Sequence, residues 1–174
     1  MNPLFDQRRH LIPFRGTLLP QVFTDTLVIG AGVAGLRAAL AAAEHGEVIV
    51  LCKGDLETSN TAWAQGGIAA PVGGEAGAEL REDREDVEAH VADTLTAGAG
   101  LCDEDLVREV VGAGAERLAE VIRWGMRVDR DAKGRILLGR EGGHSAARSV
   151  HGRGGRTGRE LGLGVGPRVR AAGG

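Results

Sequence analysis

The sequence predicts an α/β fold built around a parallel βαβ unit, and three stretches of it carry that prediction. The first is a short β-branched run ending in glycine, TDTLVIG (24–30). The second is an alanine-rich run of helical character, VAGLRAALAAAEHG (33–46), and the third is another β-branched run, EVIVLC (47–52). Strand, tight turn, helix and strand in so short a span require a parallel pair, and such crossovers are right-handed in nearly every fold.

The chain of 174 residues has the length of one domain, and 43% hydrophobic residues suffice for a core. Its 29 glycines imply either many close backbone approaches or a tail with little structure. A net charge of −3 gives no pull toward nucleic acid or an anionic membrane. Two cysteines, Cys52 and Cys102, make no disulfide framework and favour a reducing, cytoplasmic location. Arg8-Arg9 is followed by His10, Pro13 and Arg15 rather than by an apolar signal stretch. The apolar run from Leu27 to Ala43 contains Arg37 and is too short to span a bilayer. A soluble protein is expected.

Taken in order, residues 1–22 form an irregular N-terminal extension with three prolines. The strand at 24–30 reads as buried, and the helix at 33–46 closes at Gly46. After the second strand, residues 53–77 read as loop. A helix over 83–98 opens with acids, which suit its N-terminus, and carries Val87, Val91 and Leu95 as an apolar stripe. A second helix over 103–125 starts from a capping Asp103 and stops at Gly125, with Leu106, Val110, Leu118 and Ile122 expected to face inward. Residues 126–140 suggest a hairpin turning near Lys133-Gly134. From Gly152 onward there are five arginines, one acid and no evident apolar period, so 161–174 is expected to be a disordered Gly/Arg-rich tail. The tail has no aromatic residue on which a base could stack.

Gly30, Gly32 and Gly35 fit G-x-G-x-x-G between strand and helix, the Rossmann-like dinucleotide fingerprint. Gly30 permits the turn, Gly32 lets a pyrophosphate approach and Gly35 lets the helix pack on the strand. Val33 and Ala34 lie in the helix's first turn, where free N–H groups favour phosphate charge. The acid that commonly binds a ribose at the end of the second strand is missing. Cys52-Lys53 stands there instead, and Lys53 could meet a phosphate or an adenosine group. Neither the scattered histidines nor the two cysteines have metal-ligand spacing, and no G-x-S-x-G elbow surrounds Ser145.

Four blocks occur in order: GAGVAGLRAAL, VIVLCKG, SNTAWAQGGIAA and REGGHSAARSVH. Together they resemble the L-aspartate oxidases, flavoproteins of the succinate dehydrogenase/fumarate reductase group, over about residues 24–160. The resemblance implies an FAD cofactor contacted by Lys53, Asn60, Thr61, Ala62, Trp63, Ala64, Gln65, Gly66 and Gly67. The covalently flavinylated dehydrogenases carry histidine where this chain has Asn60, so non-covalent FAD is implied. Glu141 matches the catalytic, substrate-side glutamate that meets the aspartate amino group. His144 and Arg148 are candidates to orient it or to bind a carboxylate, with ordinary structural hydrogen bonds as the alternative. His90 reads as structural or surface, and His151 is unassigned.

The reaction so implied oxidises L-aspartate to iminosuccinate, with oxygen or fumarate reoxidising the flavin. Quinolinate synthase is then the downstream enzyme, on the route to NAD. Members of the group are longer, and the groups that grip the substrate carboxylates lie in parts absent from this sequence. The expectation is therefore an N-terminal fragment, with residues 23–160 an incomplete FAD-binding domain whose sheet leaves apolar faces uncovered. A fumarate reductase or succinate dehydrogenase flavoprotein is the enzyme alternative, and a non-catalytic FAD-binding module the other.

Overall fold

A computed structural model describes residues 19–55, 58–72 and 83–172. Most of the N-terminal extension, and residues 73–77 of the expected loop, lie outside the described residues. The βαβ unit is as the sequence implies. Strand β1 (Thr26–Ile29) pairs in parallel with β2 (Val48–Leu51), from Thr26 opposite Val48 to Ile29 opposite Leu51, and helix α1 (Val33–Ala42) connects them. The helix ends before Gly46 because its last residues tighten into three-residue turns, with Glu44 N donating to Ala41 O and His45 N to Ala42 O.

The first strand is less buried than expected: Thr26 and Val28 are half-buried and the other face is open. Leu27 is 54% exposed, Ile29 79% and Leu51 55%. Residues alternate across a sheet, so these three share the face turned away from α1, and nothing among the described residues covers it.

The stretch 53–77 is more structured than expected. Asn60–Trp63 form one turn of helix, α2, capped by the Ser59 hydroxyl, which accepts from Ala62 N at 3.1 Å. Ile68–Ala69 follow as strand β3. Helix α3 (Arg84–Gly98) is capped by Asp83, which accepts from Glu85 N at 2.9 Å. Helix α4 (Glu104–Arg123) is capped by Asp103, which accepts from Leu106 N at 3.0 Å.

The inward face of α4 differs from expectation. Leu118 is buried and Ile122 packs on the core, but Leu106 is 57% and Val110 63% exposed. Steps of four residues advance about 400° around a helix, so a long i, i+4 series drifts by about 40° per step. Leu106 thus lies about 160° from Ile122. Val111, Ala115, Leu118 and Ile122 stay close to one line, and that line is the buried one.

The expected hairpin turns where the sequence suggests. Asp131 N donates to Arg135 O at 2.8 Å, Arg130 bridges Ile136, and Gly134 has φ +81°. Its second arm continues into β4 (Leu138–Gly139), which pairs antiparallel with β5 (Ser149–Val150); β5 also pairs with β3. This small sheet packs its Val150 with Ala70, Val72, Ala115, Leu118 and Ile136.

The tail is the largest correction. Residues Thr157–Ala172 form helix α5 rather than a disordered segment. Leu161, Val165 and Val169 recur at intervals of four and meet Ala31, Leu36, Leu40 and Val50, so α5 completes the core over the βαβ unit. Glycines between these positions masked the period in the sequence. A further glycine, in the first turn of α5, is required: a Cβ on Gly158 would overlap Thr61 O, and this contact seats α5 directly on α2.

The two faces of α4 make opposite predictions. Leu118→Ala should cost about 2–5 kcal/mol of unfolding free energy through cavity formation. Leu106→Ala should change it by less than about 0.5 kcal/mol, as surface substitutions do. Urea unfolding of both variants checks the assignment, and equal losses would refute it.

Candidate functional site

The turn from β1 into α1 depends on two glycines. Gly30 has φ +113°, and a Cβ on Gly35 would overlap the Gly30 carbonyl oxygen. Gly32 precedes the helix with no capping side chain. Among the described residues, the first-turn N–H groups of Ala34 and Gly35 have no acceptor, whereas Val33 N donates to Thr61 Oγ1 at 3.0 Å. That bond ties two motifs 28 positions apart into one surface.

A cavity of about 360 Å³ opens on this surface. Ala31, Val33 and Leu36 of the turn and α1 line one side, Thr61, Ala62 and Trp63 of α2 another, and α5 the third. The Cβ-free cradle at Gly30 and Gly32 and the two unclaimed N–H groups fit the diphosphate of a dinucleotide. Asn60, Ala64, Gln65, Gly66 and Lys53 are all exposed, and open space surrounds Gly66. The structure thus brings Gly30, Gly32, Gly35, Val33 and Ala34 together with Thr61, Ala62 and Trp63. Lys53 is exposed two residues beyond β2, whose last residue Leu51 accepts from Gly30 N at 2.8 Å.

On the other side of the A-Q-G-G segment lie the residues of the second block. The Arg148 guanidinium is fully buried. Its Nη2 and Nε meet Asp86 Oδ1 at 2.7 and 3.0 Å, and its Nη1 meets Asp93 Oδ2 at 2.6 Å. Nη1 also donates to His144 Nδ1 at 3.1 Å; arginine offers only donors, so this places the neutral His144 proton on Nε2. Asp93 further accepts from Ser145 N at 2.7 Å and from Ser145 Oγ at 2.8 Å. These two bonds from Ser145, then the one from Arg148, hold its carboxyl well below the usual range. Arg148 is thus a scaffold for the 140–145 turn, with no donor to spare for a substrate carboxylate.

His90 is buried against this cluster, its ring centroid 5.2 Å from that of His144, and its Nδ1 has no partner among the described residues. Burial first, then the Arg148 charge, lowers its pKa. The structural reading of His90 therefore holds. Glu141 is exposed on the turn, and its Oε1 lies 3.1 Å from His151 Nε2. Sequence reasoning missed this partner, because ten positions and a strand separate the two. No group of three or more His, Cys, Asp or Glu among the described residues is placed to hold a metal. No helix among them is long and apolar enough to cross a membrane.

A sequence model of the FAD binding domain matches residues 25–172. The chain belongs to the FAD binding domain family. It is 46% identical over 139 residues to the L-aspartate oxidase of Mycobacterium tuberculosis, covering 79% of this chain and 25% of the relative. With L-aspartate oxidase 2-a of Nicotiana tabacum it shares 45% identity over 139 residues, 80% of this chain and 20% of the relative. Among solved structures it resembles E. coli quinol fumarate reductase FrdA, with a TM-score of 0.73 and 28% identity over 85% of this chain and 24% of that one. Mycobacterium smegmatis Sdh1 is similar at a TM-score of 0.71 and 29% identity, over 83% and 23%. This FAD binding domain chain thus falls in the L-aspartate oxidase/fumarate reductase group and spans about a fifth to a quarter of the curated relatives' length.

Two outcomes follow from the buried cluster. Arg148→Met leaves Asp86 and Asp93 facing each other without their counter-charge and should cost about 3 kcal/mol or more in urea unfolding. The pH dependence has a definite sign. Folded His90 binds its proton less tightly than unfolded His90, so stability falls as pH drops below the ordinary value of 6.5. Folded Asp93 does the same at more acid pH: its contribution is full above 3.8 and is lost as pH falls through its lower folded value. His90→Leu should flatten the first loss and leave the second, as pH-dependent unfolding curves of the two proteins would show.

Proposed function

We propose that this chain is the FAD-binding portion of an L-aspartate oxidase, holding FAD without a covalent link and presenting Glu141 to the amino group of L-aspartate. The observation that supports this most directly is the bond from Val33 N to Thr61 Oγ1. It sets the phosphate-type turn and the N-T-A-W-A-Q-G-G segment side by side, as one elongated dinucleotide requires. Gly30 and Gly32 leave space for the diphosphate, and the N–H groups of Ala34 and Gly35 bind its charge. Gln65 can supply an amide to the polar edge of the flavin, and Gly66 leaves its backbone open to the ring. Bound FAD supplies the redox chemistry by accepting a hydride from the substrate α-carbon. Glu141, on the far side of the A-Q-G-G segment, pairs with the substrate ammonium and orients it.

Asn60 separates this reading from a covalently flavinylated succinate dehydrogenase, because a carboxamide offers no ring nitrogen for attachment. Identity points the same way, at 40–46% to L-aspartate oxidases against 28–29% to the fumarate reductase and succinate dehydrogenase structures. The reading carries with it a cytoplasmic location and a quinolinate synthase that consumes the product.

The chain should bind added FAD, quenching its fluorescence, and acid precipitation should release the yellow colour into the supernatant. Colour kept in the pellet would refute non-covalent attachment. With FAD and L-aspartate the chain alone should form no peroxide, because the groups implied to grip the substrate carboxylates are not among its residues. Steady peroxide formation would overturn that division of labour.

A further inference from the structure

His151 joins the two halves of the site, and no role follows for it from the sequence. Its backbone is fixed, with the carbonyl accepting from Asp129 N at 2.9 Å at the end of β5. Its ring stands over Gly139 of β4 and Gly67, which immediately precedes β3. A Cβ on Gly67 would lie 2.8 Å from Nε2 and 2.9 Å from Cε1, and one on Gly139 would lie 3.1 Å from Nε2. A side chain at Gly67 would therefore have to push the imidazole out of this seat. From this seat Nε2 reaches Glu141 Oε1 at 3.1 Å. A carboxylate only accepts, so the contact puts the His151 proton on Nε2. Glu141 is half-exposed, and its Oε2 has no partner among the described residues.

We infer that His151 is the positioning residue for Glu141, and that the pair forms one reader of a primary ammonium beside an acidic substrate. His151 fixes Oε1 and sets the carboxylate's direction from the Gly67 turn; Oε2 is left to receive the ammonium. A side chain on an exposed turn would otherwise sample several rotamers and recognise an amine weakly. The inference rests on the proposed role of Glu141 and adds the residue that makes that role geometrically definite.

The test uses the whole chain labelled with nitrogen-15. The His151 ring nitrogens are followed by long-range proton–nitrogen correlation and assigned by their loss in His151→Gln. FAD binding is measured separately, by flavin fluorescence. L-Aspartate should shift the His151 resonances saturably. Succinate, of equal length but without the amine, should need about tenfold more for the same shift, the scale of one charge-assisted hydrogen bond. Glu141→Gln should abolish the difference. His151→Gln, which keeps an N–H donor, should retain part of the discrimination read at the Glu141 amide, and His151→Leu should lose it. Unchanged β5 amide shifts would show that the sheet is intact in these variants. Should the leucine variant fail to fold, the wild-type titration and the glutamine variant still decide. Equal responses to the two acids, or none to L-aspartate, would overturn the inference whatever FAD does. An aspartate-selective response in a chain that refuses FAD would uphold the pair and overturn the flavin reading instead.

Discussion

A guanidinium withdrawn from water must be neutralised on the spot, and the second half of this molecule is arranged around that requirement. Arg148 is wholly buried, and its charge is met by Asp86 and Asp93, both on α3. Its backbone works in the same place, accepting from Ala70 N and donating to Gly139 O, so one residue links β3, β4 and α3. Everything on the 140–145 turn inherits its position from this anchor. Ser145 is held by Asp93, His144 by Arg148 itself, and Glu141 begins the turn that His144 closes. An ion triad of this kind contributes little net stability compared with an apolar core, but breaking it is expensive. Its effect is to fix where things point.

The other half is held by contact rather than charge. Gly35 lies on the Gly30 carbonyl, Gly158 on the Thr61 carbonyl, and Leu161, Val165 and Val169 close over α1 and β2. Trp124 receives the guanidinium groups of Arg37 and Arg168 over its ring, at 5.6 and 5.4 Å, which fastens α5 to the end of α4. The two halves meet along the A-Q-G-G segment. One flank of it is tied to the α1 N-terminus by Thr61, and the other lies under the His151 ring. The surface suited to a dinucleotide and the acid suited to an amine therefore face a common seam.

Where sequence and structure agree, the reason is local. The βαβ unit follows from two β-branched runs and a glycine turn, and the cap at Asp103 follows from a side chain that reaches only three residues. Disagreement arises where geometry accumulates. A stripe read in steps of four around α4 drifted away from the core and claimed Leu106 and Val110 in place of Val111 and Ala115. Helix α5 was hidden because its apolar positions are separated by glycines and arginines, and only its packing on α1 gives them meaning. The contact between Glu141 and His151 was not legible, since nothing local connects residues on opposite sides of a turn and a strand. Asp86 and Asp93 looked like ordinary acids on a helix; their task appears only when Arg148 arrives between them.

The bare side of the two-stranded sheet has a consequence for the molecule in solution. Among the described residues, Leu27, Ile29 and Leu51 leave an apolar strip uncovered, beside strands that pair only with each other. Attraction between such strips strengthens on heating. Samples of this protein should therefore cloud as they warm and clear again on ice, a reversible turbidity that begins before any helix melts.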